Sequence, residues 1–212
     1  MELEVIETIV LWLESASTVV GVLTVLCLIY EKYWAWPLGV LFCFLSAPVL
    51  LHNNLYGYLT LTLVGFLPMN IYGWYYWIAG TEHKTELPVT KAPVRIWLVC
   101  GVLSLVAILL LPYFFALIVP DYFETAEYIY LDNSILVLSL SAMWFTARKF
   151  IENWFIWLVV NFATVALYGL TDLYQLMLLY VAYIGMAFWG YRQWRISMRK
   201  QKITPAPQQV VT

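Results

Sequence analysis

The chain has 212 residues, 63% of them hydrophobic and only 11% charged, with a mean hydropathy of +0.79. A soluble domain carries about a quarter charged residues to keep its surface wet, so this composition excludes a water-soluble fold and points to an integral membrane protein. The net charge of −2 offers no basic surface to nucleic acid.

The N-terminus, MELEVIET, is acidic and lacks the basic stretch of a cleavable signal. Residues 1–14 place Glu2, Glu4 and Glu7 among periodic apolar residues and are expected to form an interfacial lead-in. Seven segments then meet the roughly 17–25 apolar residues that a spanning helix needs. They are 15–30, 35–51, 55–78, 96–119, 130–147, 154–171 and 173–191. The longest polar linker is 80–95, and 192–212 reads as a tail whose last ten residues are expected to be disordered. Cys27, Cys43 and Cys100 lie within apolar runs, without CxxC spacing or a nearby histidine, and read as small hydrophobes.

The basic residues set the orientation. All eleven (Lys32, Lys84, Lys91, Arg95, Arg148, Lys149, Arg192, Arg195, Arg199, Lys200 and Lys202) follow segments one, three, five and seven. The alternate connections and the N-terminus hold none. Positive charge marks the cytoplasmic side, so the N-terminus is expected outside and the C-terminus inside, which requires an odd number of spans.

The segments also repeat. Leu13-Glu14 matches Leu131-Asp132, and Leu55-Tyr56 matches Leu173-Tyr174. Tyr72-Gly73 and Trp77 match Trp189-Gly190 and Trp194. Between these, EKYWAW can be laid on ENWFIW, pairing Glu31 with Glu152 and Trp36 with Trp157. Residues 15–78 and 130–191 are therefore expected to be two three-helix repeats, with 96–119 as connector. The expected architecture is all-α, a 3+1+3 parallel repeat about an axis along the membrane normal, as transporters use.

Segment six, ENWFIWLVVN, carries the chemistry. Trp154, Trp157, Asn161, Thr164 and Tyr168 fall on one helical face, and an asparagine facing lipid is costly, so this face should turn inward. Trp36 opens segment two, Asn70 and Tyr72 close segment three, and Tyr180 and Tyr183 lie along segment seven. Aromatic walls with a few amides suit a flat, polar, uncharged or cationic ring. Asp132 is the carboxylate best placed to attract a cation from outside, where Asp121, Glu124 and Glu127 also lie. Interfacial anchoring is an alternative role for Trp154, and interhelical hydrogen bonding for Asn161.

Other classes fit less well. No lysine lies within a helix to form a retinal Schiff base, and a seven-helix ligand receptor would not need the repeat. The only histidines, His52 and His83, sit in connections, and no HExxH or nucleophile motif accompanies them, so neither an enzyme nor a metal or cofactor site is expected.

The run TARKFIENWFIWLVVN closely resembles the sixth-helix signature of PnuC-type vitamin transporters, with its WxxWxxxN pattern, and NIYGWYYW resembles the family's third-helix ending. The resemblance covers roughly residues 10–195. It implies a SWEET-like fold in a bacterial inner membrane and facilitated diffusion of a vitamin precursor, with nicotinamide riboside first, thiamine as the runner-up and riboflavin behind it. It implies that Trp154, Trp157 and Asn161 bind the substrate and that a cytoplasmic kinase traps it by phosphorylation. A homo-oligomer is a possible assembly. One departure stands out: nicotinamide riboside carriers often place a glutamine midway along helix three, where this chain has Leu63.

Overall fold

The structure, a computed structural model, describes residues 2–53, 56–79, 87–118 and 128–203. Among these, seven helices carry the chain: α1 (Glu2–Ile29), α2 (Ala35–His52), α3 (56–79), α4 (Val94–Ile118), α5 (Ile129–Ala147), α6 (Asn153–Leu170) and α7 (Tyr174–Ile203). Leu55, His83, Lys84, Asp121, Glu124, Glu127 and the end of the tail lie outside the described residues. By length and composition, α1, α2, α4, α5 and α6 are long and apolar enough to cross a membrane. The segment expected as a lead-in is continuous with the first span in one 28-residue helix, and the beginning of the expected tail continues α7 to Ile203.

Two compact units divide the chain, residues 1–88 with 196–212, and residues 89–195. In the first, α1 packs on α2 and α2 on α3. In the second, α4 packs on α5 and α5 on α6. Ser104 and Ser141 share a hydrogen bond of 2.9 Å between α4 and α5, and the rings of Trp97 and Phe145 meet at 5.0 Å.

Helices α1 and α5 end in the same way. Glu31 (φ 55°) donates its N–H to the Leu28 carbonyl at 3.1 Å, and Lys32 donates to Cys27 at 2.8 Å. Lys149 (φ 51°) donates to Thr146 at 3.0 Å, and Phe150 donates to Phe145 at 3.0 Å. Each is a Schellman turn, in which one left-handed residue lets the last carbonyls find donors. Glu31 and Lys149 are 118 residues apart, and so are the starts of α2 and α6, each 18 residues long.

That spacing corrects the sequence alignment at one place. The counterpart of Trp36 is Trp154, not Trp157, and the pairing of Glu31 with Glu152 slips by three residues. The surroundings of the two indoles agree. Trp36, 2% exposed, lies on Gly73, where a Cβ would collide with its ring, and Trp77 packs against it at 5.5 Å and 80°. Trp154, also 2% exposed, lies on Gly190 in the same way, with Trp194 at 5.5 Å and 87°. EKYWAW and ENWFIW misled because each holds tryptophans close together, so that sliding by three still matches a glutamate and a ring.

Helix α3 departs from its counterpart by one residue. It contains a π turn, Leu61–Phe66, in which the Leu67 N–H bonds the Thr62 carbonyl five residues back. Pro68 explains the local preference, since it has no N–H and its ring would clash with the carbonyl of Val64 in an α-helix. From Tyr56, the start of α3, to Gly73 is 17 residues, whereas from Tyr174 to Gly190 is 16. The π turn absorbs the extra residue and keeps Gly73 facing Trp36.

Gly73→Ala and Gly190→Ala should each destabilise the detergent-solubilised protein by about 1–3 kcal/mol through overpacking, read as a lowered thermal midpoint. Gly101→Ala, with nothing within 4 Å of the added carbon, should be nearly neutral. Removing Val64 together with Pro68→Ala should convert the π turn to a regular helix and raise amide protection at 61–67 in hydrogen exchange. Loss of the folded state in that variant would contradict the one-residue surplus.

Candidate functional site

Helix α6 turns the expected face inward. Asn161 is 5% exposed, and Thr164 and Trp154 are buried with it, while Phe155, Val159 and Phe162 are exposed. Trp157 and Tyr168 are half-buried at the edge of this face. Val160, which the sequence left outside the stripe, is buried too.

The polar groups on this face differ in how they are satisfied. Trp157 donates its indole N–H to Thr146 Oγ1 at 3.3 Å, and Thr146 donates to the Ala142 carbonyl at 2.8 Å. The Trp157 ring packs beside Ala142, Phe145, Phe150 and Ile156. Thr164 donates to the Val160 carbonyl at 2.8 Å, the usual way a hydroxyl is accommodated in an apolar helix. Three buried asparagines do likewise: Asn70 donates to Phe66, Asn133 to Ile129 and Asn153 to Phe150, all at 2.6–2.9 Å. Asn161 makes no such bond with any described residue. Its amide stands halfway along an apolar helix, where an unmet hydrogen-bonding group is expensive.

A short strap fixes the start of this helix. The Thr90 N–H bonds the Lys149 carbonyl at 3.1 Å, and the Ile151 N–H bonds the Thr90 carbonyl at 2.9 Å. The Glu152 carboxylate accepts the Ala92 N–H at 3.0 Å, just before α4 begins. A carboxylate is favourable at a helix N-terminus. Thr146 and this strap were not evident in the sequence, because residues 90–92 lie in a linker sixty positions away from their partners.

At the far end of α6, Tyr168 and Tyr180 meet at 5.5 Å and 72°, and Tyr180 and Tyr183 at 5.5 Å and 87°. Asp132, half-buried in the first turn of α5, and Tyr168, in the last turn of α6, lie at the ends of these two packed helices away from their connecting turn.

Of the candidates in the first unit, Trp36 and Asn70 are buried and Tyr72 is half-buried. The Asn70 amide lies over Gly39, where a Cβ would collide with it, and 3.9 Å from the Cys43 sulfur. Tyr72 stacks on Tyr76 at 5.9 Å. Shifted by 118 residues, Gly39 corresponds to Trp157 and Cys43 to Asn161. Trp157 and Asn161 thus have no like residue at the corresponding places of α2, and only Trp154 does. Among the described residues, no group of His, Cys, Asp and Glu could hold a metal ion.

Comparison with known proteins gives a consistent answer. The family model described as nicotinamide mononucleotide transporter matches residues 11–196. The nicotinamide riboside transporter PnuC of Escherichia coli is 27% identical over 210 residues, covering 90% of this chain and 87% of the relative. The riboflavin/roseoflavin transporter RibM of Streptomyces davaonensis is 28% identical over 199 residues, covering 90% and 88%. The crystal structure of the vitamin B3 transporter PnuC superposes with a TM-score of 0.70 at 25% identity, over 89% of this chain and 83% of that one. These relatives are named as transporters, not enzymes. With the family model spanning nearly the whole chain and helices that superpose on a solved member, this multi-pass membrane protein belongs to the PnuC-type family of vitamin transporters.

Proposed function

We propose that the chain carries nicotinamide riboside across the bacterial inner membrane by facilitated diffusion, and that a cytoplasmic kinase traps the solute by phosphorylation. The observation that carries this reading is Asn161: a buried amide, midway along α6, that no described residue engages. A group kept in that state suits a ligand that brings its own hydrogen-bonding edge. Trp157 beside it offers a ring face for stacking, and Thr164 lies a turn beyond. On this reading Trp36 and Trp154 set helix spacing, and Asn70 fills the first repeat. Among the described residues there is no row of buried ionisable side chains of the kind a proton relay needs, which favours uniport over ion coupling.

The seven helices are proposed as seven spans in a 3+1+3 parallel repeat, SWEET-like, with the N-terminus outside and the C-terminus in the cytoplasm. The one-sided basic residues and the matching turns and tryptophan–glycine contacts support it. A second reading is a flavin carrier. The Streptomyces relative named for riboflavin and roseoflavin favours it. Thiamine is the other cationic candidate.

A calorimetric panel of nicotinamide riboside, thiamine and riboflavin on the purified protein decides between these. Nicotinamide riboside should bind most tightly; riboflavin binding alone would establish the second reading. Trp157→Ala and Asn161→Ala should each weaken binding tenfold to about a hundredfold while the protein stays folded. Parent-like affinity in both variants would place the site elsewhere. In vesicles loaded with kinase and ATP, uptake should persist when the proton gradient is dissipated. Collapse of uptake at constant ATP would mean ion coupling instead.

A further inference from the structure

We infer that Asp132, Tyr168, Tyr180 and Tyr183 form a second recognition site, distinct from the Trp157–Asn161–Thr164 face, that selects the positively charged form of an aromatic solute. The inference rests on the reading of the chain as a carrier of such a solute and adds to it a charge filter with its own residues.

Three helices converge to build it. Asp132 lies in the first turn of α5, Tyr168 in the last turn of α6, and Tyr180 and Tyr183 in the second and third turns of α7. Tyr168 is seven residues beyond Asn161, roughly 10 Å along the helix axis, and one turn beyond Thr164. The paired edge-to-face contacts, Tyr168 on Tyr180 and Tyr180 on Tyr183, present ring faces in nearly perpendicular directions. Perpendicular aromatic faces at the same end of the packed helices as a carboxylate suit a delocalised organic cation.

The carboxylate supplies the second, independent observation. Asp132 is the only acidic residue in α5, α6 and α7. It is half-buried, and no described lysine or arginine pairs with it. A carboxylate in such a position is costly without a counter-charge. Glu14, at the corresponding place on α1, is exposed. Asp172, at the nearby turn, is also different: it is exposed and already accepts the Tyr174 hydroxyl at 2.7 Å. The chemistry that fits is a pyridinium- or thiazolium-like ring, whose charge is spread over a flat face.

The test compares nicotinamide riboside, a cation, with its dihydro form, which has nearly the same shape and no ring charge. Uptake of both is measured in vesicles carrying the parent, Asp132→Asn, Asp132→Glu, Tyr180→Phe and Tyr180→Leu. The parent should prefer the cation. Asp132→Asn should lower that preference about tenfold, through a higher KM for the cation and an unchanged KM for the neutral form. Asp132→Glu should recover most of it. Tyr180→Phe, which keeps the ring, should retain the preference, and Tyr180→Leu should reduce it. Trp157→Ala should weaken both compounds alike. If Asp132→Asn slows both compounds equally, or neither, the charge filter is refuted while the carrier reading stands. If the parent takes up neither compound, the carrier reading itself fails.

Discussion

Helices in a bilayer gain nothing from hiding apolar surface from one another, because lipid tails are as apolar as leucine. What holds them is close contact, and here that contact is a buried indole seated on a glycine. Trp36 on Gly73 and Trp154 on Gly190 occupy equivalent places and carry equivalent partners, Trp77 and Trp194. Their own N–H groups find no acceptor, so their contribution is shape rather than hydrogen bonding. The inward rotation of α6, and with it the placement of Asn161 and Thr164, follows from where Trp154 is seated.

Much of this fold is legible in the sequence. Segment number, the inward face of α6 and the glycine–tryptophan spacing of α3 and α7 all follow from periodicity and composition. The matching of Gly73 and Trp77 with Gly190 and Trp194 already contains the two packing contacts. What periodicity could not resolve is which of two nearby tryptophans is seated. Trp154 and Trp157 are both aromatic, both apolar and three residues apart, and only the left-handed turns at Glu31 and Lys149 fix the register. The π turn was hidden for a related reason. Pro68 signals a disturbed ladder, but whether a helix kinks or takes up an extra residue depends on what its far end must face.

The site was legible in part. An asparagine in an apolar helix announces itself, and its burial agrees with the cost of exposing an amide to lipid. The distinction between a satisfied and an unengaged amide was not available, since Asn70, Asn133, Asn153 and Asn161 look alike as letters. Three of them fold back onto a carbonyl of their own or the preceding turn, and one does not. The same limit applies to Asn70, a site candidate by type that the structure uses to fill the space over Gly39. Helices α2 and α6 thus share their indole–glycine contacts but differ in content: Gly39 and Cys43 lie against the Asn70 amide, whereas no described residue bonds the Asn161 amide.

The reversals around α6 have a consequence for the surrounding lipid. The helix is 18 residues long, about 27 Å, and it is bounded by turns of five residues or fewer at 148–152 and 171–173. Helix α2 has the same length. Such helices cannot extend their apolar stretch, and tilting would only shorten it further. A hydrocarbon layer of about 30 Å is met by thinning around them or by flanking side chains that reach to the interface. The thickness of the membrane thereby becomes part of the environment to which this carrier is fitted.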